Sequence, residues 1–312
     1  MKVAVTCKHM QRDIEGYRDR IEAAGCELVL PDIPGQELDG DGLVAAMAGV
    51  NGCIAGDDKF TSDVMAQLPD LRAISKWGIG LDGIDRPDAA ERGITVTNTP
   101  GMFNDEVAEM ALGYLIAAVR GIVSTDRAVR AGGWVNPVGR SLAALPVTVV
   151  GLGNIGLELA CKVKVLGMPV VGVDPGPAAR EAAAASDIAV AELADALPGT
   201  SVLMITAPLN PATQGMIGAA ELLAMPEGSF LVNVGRGPVV QGQAVVDALA
   251  SGHLAGAALD VFETEPLPAA DKLREFDNCI LGTHNSSNTY EACHRTHAQS
   301  ITNLFASLGI DE

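Results

Sequence analysis

Cationic side chains are scarce in this chain: 21 Lys and Arg stand against 39 Asp and Glu, a formal charge of −18. That balance argues against a nucleic-acid partner or an anionic membrane surface, since either calls for a basic patch. An anionic substrate must then be held by a few local cations. Paired cysteines are missing as well. Cys7, Cys26, Cys53, Cys161, Cys279 and Cys293 are scattered with no CxxC pair, and several lie in apolar runs. This excludes a zinc site or a disulfide frame and predicts buried thiols in a reducing compartment. Uninterrupted apolar stretches near the roughly 18 residues of a membrane span are absent, and Met1-Lys2-Val3-Ala4-Val5 runs directly into a strand. No signal peptide is expected, and the cytoplasm is the expected location. Repeats and low-complexity tracts are lacking too.

What is present is apolar mass. With 312 residues, 48% hydrophobic and only 19% charged, the chain suits two domains that each bury a core, with a cleft expected between them. Val3 to Cys7, Glu27 to Leu30, Gly52 to Ala55, Ala73 to Ser75 and Thr95 to Thr97 are short apolar or β-branched runs. Segments of helical spacing, such as Tyr17 to Ala24 and Leu43 to Met47, separate most of them. Strands alternating with helices predict a parallel sheet covered on both faces. Asn98-Thr99-Pro100-Gly101 is a turn signal, and Val107 to Val119 is long and apolar enough for a buried helix.

From Val147 the strand pattern restarts: Val147 to Val150, Val170 to Val173, Val202 to Thr206, Phe230 to Val234, Ala257 to Leu259 and Cys279 to Leu281. Gly151-Leu152-Gly153-Asn154-Ile155-Gly156 follows the first of these runs, and Asp174 ends the second, 18 residues past Gly156. A tight glycine turn brings a pyrophosphate onto the N–H groups of a helix N-terminus, and a carboxylate after the second strand accepts from an adenine ribose. The motif predicts NAD. The carboxylate also selects NAD over NADP, because it repels a 2′-phosphate.

Three blocks follow in order. Asn233-Val234-Gly235-Arg236-Gly237 puts Arg236 at the carboxyl end of a strand, the edge where open α/β sheets bind ligands, and an arginine there can clamp a carboxylate. Asp260-Val261-Phe262-Glu263-Thr264-Glu265-Pro266 and Thr283-His284-Asn285-Ser286-Ser287 likewise follow strands. A carboxylate beside His284 would favour the imidazolium and fix the ring, and such a histidine can give a proton to a carbonyl oxygen as hydride arrives. His294 and His297, in the helical segment Tyr290 to Leu308, read as solvated or packing residues; His9, after the first strand, fits either packing or the cleft.

The whole chain resembles the D-isomer-specific 2-hydroxyacid dehydrogenases, including the D-3-phosphoglycerate dehydrogenase branch. The resemblance rests on Lys76-Trp77-Gly78-Ile79-Gly80-Leu81-Asp82-Gly83-Ile84-Asp85, Asn98-Thr99-Pro100, Val107-Ala108-Glu109, the glycine loop with Asp174, Pro208-Leu209, Asn233 to Gly237, Asp260 to Pro266 and His284. It implies an α/β fold of two doubly wound parallel-sheet domains. A flavodoxin-like substrate domain (1–98 and 288–312) receives a Rossmann NAD domain (99–287) as an insertion. It further implies that Arg236 binds the substrate carboxylate and carbonyl oxygen, that His284 is the acid/base and that Glu265 pairs with it. Asp260 would contact the nicotinamide carboxamide, Asn154 and Ile155 the pyrophosphate, and Ala207, Pro208 and Val234 the cofactor. Gly78, Ile79 and Gly80, with Lys76 beside them, would meet the substrate. The helix after Pro100 would contribute to a homodimer.

The chain departs from the family pattern in places. Thr283 stands where the family usually has proline, and Asn285-Ser286-Ser287 where it has glycines. The loop Ala55-Gly56-Asp57-Asp58-Lys59 lacks the Arg-Ser pair expected of phosphoglycerate enzymes, and its two acids would repel a dianion; Lys76 and Lys59 are possible replacements. No regulatory extension is expected after the last helix. A general 2-hydroxyacid dehydrogenase acting on a small anionic 2-hydroxy or 2-oxo acid is therefore the first reading and phosphoglycerate the second. A non-catalytic NAD(H) sensor resembling a corepressor is a third, though it has no need for Arg236, Glu265 and His284 together. A metal site of Asp57, Asp58 and His9 is the weakest.

Overall fold

The computed structural model describes residues 1–35 and 37–311. The chain divides into two compact units, Met1–Met102 with Asn288–Glu312, and Phe103–Ser287.

In the first unit, β1 (Lys2–Val5), β2 (Glu27–Val29), β3 (Gly52–Ala55), β4 (Ala73–Lys76) and β5 (Thr95–Thr97) form a parallel sheet in the order β2-β1-β3-β4-β5. This is the flavodoxin-like order. The three central strands are buried almost throughout because helices cover both faces of a parallel sheet. The helix Tyr290–Leu308 returns to this sheet from the far end of the chain. The Thr289 hydroxyl accepts the Ala292 N–H at 3.1 Å to start it. Ser75 Oγ donates to the Ser300 carbonyl at 2.9 Å, and Asn303 Nδ2 to that of Asn98 at 2.9 Å. Leu304 and Leu308 press onto Gly52, where any side chain would meet them.

His297 lies on the buried face of that helix and is 1% exposed. Its Nδ1 accepts from Trp77 Nε1 at 2.8 Å, and its Nε2 faces Asp13 Oδ2 at 3.3 Å. Burial pushes its pKa down despite Asp13, and burial acts the same way on His9, which stacks on Trp77. The folded imidazoles thus bind a proton less readily than the unfolded chain does. Their contribution to stability is present above the unfolded value, roughly 6.5, and is lost as pH falls below it. Unfolding followed by Trp77 fluorescence in a Trp134→Phe background should show a lower midpoint at about pH 5 than at about pH 7.5. His297→Gln should reduce that difference; an unchanged difference would remove His297 from its cause.

The second unit holds β6 (Val147–Val150), β7 (Val170–Val173), β8 (Ala189–Val190), β9 (Val202–Ile205), β10 (Ser229–Asn233), β11 (Leu254–Leu259) and β12 (Cys279–Leu281). They pair in parallel in the order β12-β11-β10-β9-β6-β7-β8. β8 has no counterpart among the expected strands. At two residues on the sheet edge it is too short to carry an alternation. The order reverses between β6 and β9, a switch point where the carboxyl ends of two neighbouring strands open a crevice. Most side chains of β6, β9, β10 and β11 are buried, and each large aliphatic one contributes roughly 1.5–3 kcal/mol relative to exposure. The helix Asn104–Arg120 buries Val107, Ala108, Ala111, Tyr114, Leu115 and Val119 within this unit and stops at Gly121, whose φ is 61°. Among the described residues no single helix is long and apolar enough to cross a membrane. All six cysteines are unpaired and five are buried; burial pushes the Cys7 and Cys279 thiols up to about 12.

Candidate active site

The carboxyl end of β6 leads into the glycine loop. Gly151 has φ 91°, and a Cβ there would lie 2.7 Å from the Ala207 nitrogen; one at Gly156 would lie 1.8 Å from the Gly151 carbonyl. These two glycines let the loop, the helix Asn154–Val165 and the end of β9 pack together. A Cβ on Gly153 would point into open space. The middle of the turn is therefore open to close approach, and the first N–H groups of the helix have no carbonyl partner within it. Thr206 braces the loop from β9: its hydroxyl donates to the Gly151 carbonyl at 2.7 Å. Asp174, after β7, accepts from Leu152 N at 2.7 Å and Gly176 N at 2.7 Å, which fixes the carboxylate and leaves it acceptor capacity. The loop and the carboxylate fit a dinucleotide: the turn would hold its pyrophosphate and Asp174 a ribose. Val234 and Ala207 are buried at the ends of β10 and β9, and Pro208 is exposed beside Ala207.

The ends of β10, β11 and β12 carry the reactive groups. Asn233, Leu259 and Leu281 are level with one another across the sheet, so Arg236, Glu265 and His284 all leave the sheet at one edge. Asn233 shapes the first turn, accepting Gly235 N–H at 3.0 Å and donating to the Arg236 carbonyl at 3.1 Å. Gly237 lies against the next loop so closely that a Cβ would be 1.9 Å from the Phe262 carbonyl carbon. Phe262 N–H in turn donates to Glu265 Oε1 at 2.8 Å, and Glu265 Oε2 meets His284 Nδ1 at 2.7 Å. Backbone contact thus links the arginine turn to the carboxylate that orients the histidine. Both members of the Glu265–His284 pair are partly exposed, at 25% and 30%. The half-buried Arg236 donates from Nη1 to the Gly235 carbonyl at 2.9 Å.

Asp260 is 1% exposed, and its carboxylate accepts from Tyr114, Ser286 N–H and Ser286 Oγ. In the first unit, Lys76 Nζ donates to Asp57 Oδ1 at 2.9 Å and to the Trp77 carbonyl at 3.1 Å. Gly78 N–H donates to Thr99 Oγ1 at 3.1 Å, and Ile79 is exposed. The two acids after β3 differ in kind. Asp57 is half-exposed and paired with Lys76, whereas Asp58 is 2% exposed and accepts from the Thr6 hydroxyl, Leu38 N and Gly56 N. Burial raises the pKa of Asp58. It braces loops, so of the two acids expected to repel a dianion only Asp57 is exposed to do so. Lys59 pairs with Glu37 at 3.1 Å.

Tyr114, Thr206 and Gly282 carry no assignment from sequence, and Ser286 only its departure from the family pattern. Tyr114 leaves one signal, the lone hydroxyl on the helix Asn104–Arg120; the others depend on strand register.

A family model described as D-isomer specific 2-hydroxyacid dehydrogenase, NAD binding domain, matches residues 112–286. The glyoxylate reductase of Thermofilum pendens is 37% identical over 257 residues, covering 80% of this chain and 76% of that protein. The structure of an NADPH-dependent glyoxylate/hydroxypyruvate reductase from Sinorhizobium meliloti, in complex with NADP and malonate, matches with a TM-score of 0.85 and 29% identity over 98% of this chain and 93% of that one. A D-lactate dehydrogenase from Aquifex aeolicus, complexed with NAD and lactic acid, shares the fold with a TM-score of 0.85 at 22% identity, over 99% and 96% of the two chains.

Proposed function

The chain belongs to the D-isomer specific 2-hydroxyacid dehydrogenase family, and from that premise we propose that it carries out reversible, NAD-dependent reduction of a small 2-oxo acid, with His284 as acid/base. The observation that carries the proposal is the 2.7 Å contact between His284 Nδ1 and Glu265, on the same sheet edge as Arg236. Glu265 accepts from Nδ1–H, so Nε2 carries the transferred proton. A bound nicotinamide supplies or accepts the hydride. Arg236 holds the substrate carboxylate and places positive charge where the carbonyl oxygen becomes negative. His284 delivers a proton to that oxygen during reduction and removes it during oxidation.

Glyoxylate and hydroxypyruvate are the proposed substrates, in line with the names of the relatives above. A phosphorylated acid is disfavoured, since Lys76 and Lys59 are already paired with carboxylates. Lys76, Gly78, Ile79 and Gly80 remain the proposed contacts of the first unit to the substrate, on the strength of the resemblance. A homodimer is proposed on the same ground. It is supported by Ile122, Trp134, Val135 and Val138, apolar side chains exposed in the stretch after helix Asn104–Arg120.

NAD is preferred over NADP in this reading because Asp174 stands at the ribose position. Arg180 does not offset it: its Nε donates to the Asp174 carbonyl at 2.6 Å and its Nη2 pairs with Glu192. Assays of glyoxylate and hydroxypyruvate with each reduced cofactor should give kcat/KM for NADH at least about tenfold above NADPH, a difference of roughly 1.4 kcal/mol. Asp174→Ser should narrow the gap. A wild-type preference for NADPH would overturn the cofactor assignment, and no turnover of any 2-oxo acid would overturn the reaction.

A further inference from the structure

The turn that carries His284 is fastened repeatedly to Leu259 and Asp260. Gly282 N–H donates to the Leu259 carbonyl at 2.7 Å, and His284 N–H to the Asp260 carbonyl at 2.7 Å. Ser286 donates twice to Asp260 Oδ2, from N–H at 3.0 Å and from Oγ at 2.5 Å. From the helix Asn104–Arg120, Tyr114 Oη donates to Asp260 Oδ1 at 2.9 Å. Packing around this knot is tight, because a Cβ on Gly282 would lie 2.2 Å from both Asp260 Oδ1 and Tyr114 Oη. His284 itself has φ 54°, a left-handed conformation that a non-glycine residue keeps only where its surroundings over-determine it.

We propose that Tyr114 and Ser286 are positioning residues for His284, acting through the buried carboxylate of Asp260. A carboxylate at 1% exposure needs donors in place of water. Here two hydroxyls and one N–H supply them. Tyr114 keeps its proton for this task, since burial and the adjacent carboxylate push its phenol up. Asp260 then holds the histidine turn from both sides: its carbonyl takes the His284 N–H and its carboxylate takes Ser286 two residues on. Ser286 stands where the family usually has glycine, so its hydroxyl is a contact that the departure from the pattern adds. With the knot intact, the His284 ring meets Glu265 in one geometry. Without it, the left-handed turn relaxes and the ring leaves its reacting position. This assignment rests on the proposed acid/base role of His284.

The test is kinetic. Tyr114→Phe, Ser286→Ala, the double variant and Ser286→Thr are assayed with hydroxypyruvate and NADH, alongside wild type and His284→Ala, with KM for NADH, the pH profile of kcat and thermal midpoints. Each hydroxyl deletion is expected to lower kcat roughly tenfold and displace its pH profile while KM for NADH changes less than kcat does, as misplacement of a reacting group requires. The double variant should lose less than the product of the singles, since both act on one carboxylate. Ser286→Thr should restore most of the loss. Wild-type kcat and pH profile in both single variants, with His284→Ala inactive, would overturn this inference alone. A loss tracking only the thermal midpoint, with no displaced profile and no rescue, would also overturn it. Full activity in His284→Ala would overturn the acid/base reading and this inference with it.

Discussion

His284→Ala is expected to lower kcat for 2-oxo acid reduction by roughly 10²–10⁴ while the affinity for NADH stays within about twofold. The asymmetry follows from where the ring sits. His284 leaves the sheet after β12, whereas the glycine loop proposed to hold the dinucleotide is built between β6, β7 and β9 at the switch point. Removing the imidazole deletes the proposed proton donor and leaves that loop intact. The Glu265 carboxylate keeps its Phe262 N–H donor, so the variant should fold. Glu265→Gln should fall between wild type and His284→Ala, because an amide holds the ring without favouring the imidazolium. Rapid-quench turnover together with fluorescence titration of NADH separates the two effects. Unchanged kcat in His284→Ala would remove the residue from the mechanism.

Arg236→Gln is expected to reduce kcat/KM by roughly 10²–10³, equivalent to about 3–4 kcal/mol, by analogy with the loss of an oxyanion donor. Arg236→Lys should recover only part of this, since an ammonium keeps the charge but loses the planar fork that matches a carboxylate. The turn itself should survive, because Asn233 holds it through the Gly235 N–H and the Arg236 carbonyl. Both kcat and KM should change, as Arg236 is assigned to the substrate carboxylate in the ground state and to the developing charge in the transition state. Steady-state kinetics with hydroxypyruvate settle the point: wild-type KM in Arg236→Gln would place the substrate carboxylate elsewhere.

The parts of this fold legible in the sequence are those where one physical requirement dominates a short window. Val202–Ile205 is apolar throughout, and Val147–Val150 is apolar but for the buried Thr148, because a covered parallel strand has no wet face; the glycine loop announces itself because two packing contacts leave no room for side chains. Where several weak requirements compete, the sequence says less. β8 pairs through two residues only, below the length at which any period shows. Asp58 and Asp57 are adjacent acids in a polar loop, and nothing local distinguishes the one that turns inward to Thr6, Leu38 and Gly56 from the one that meets Lys76. Tyr114 and Asp260 are 146 residues apart; their contact depends on how the helix Asn104–Arg120 crosses the sheet, which is a property of the packed unit. His284 and Glu265 were easier, since strands that end at one edge bring their following residues together whatever lies between.

The most direct test of the central claim is the configuration of the product formed from hydroxypyruvate and NADH, read by chiral chromatography after complete conversion. NADH should be consumed stoichiometrically, with D-glycerate as the product. Formation of L-glycerate, or no consumption of NADH with any small 2-oxo acid, would contradict it.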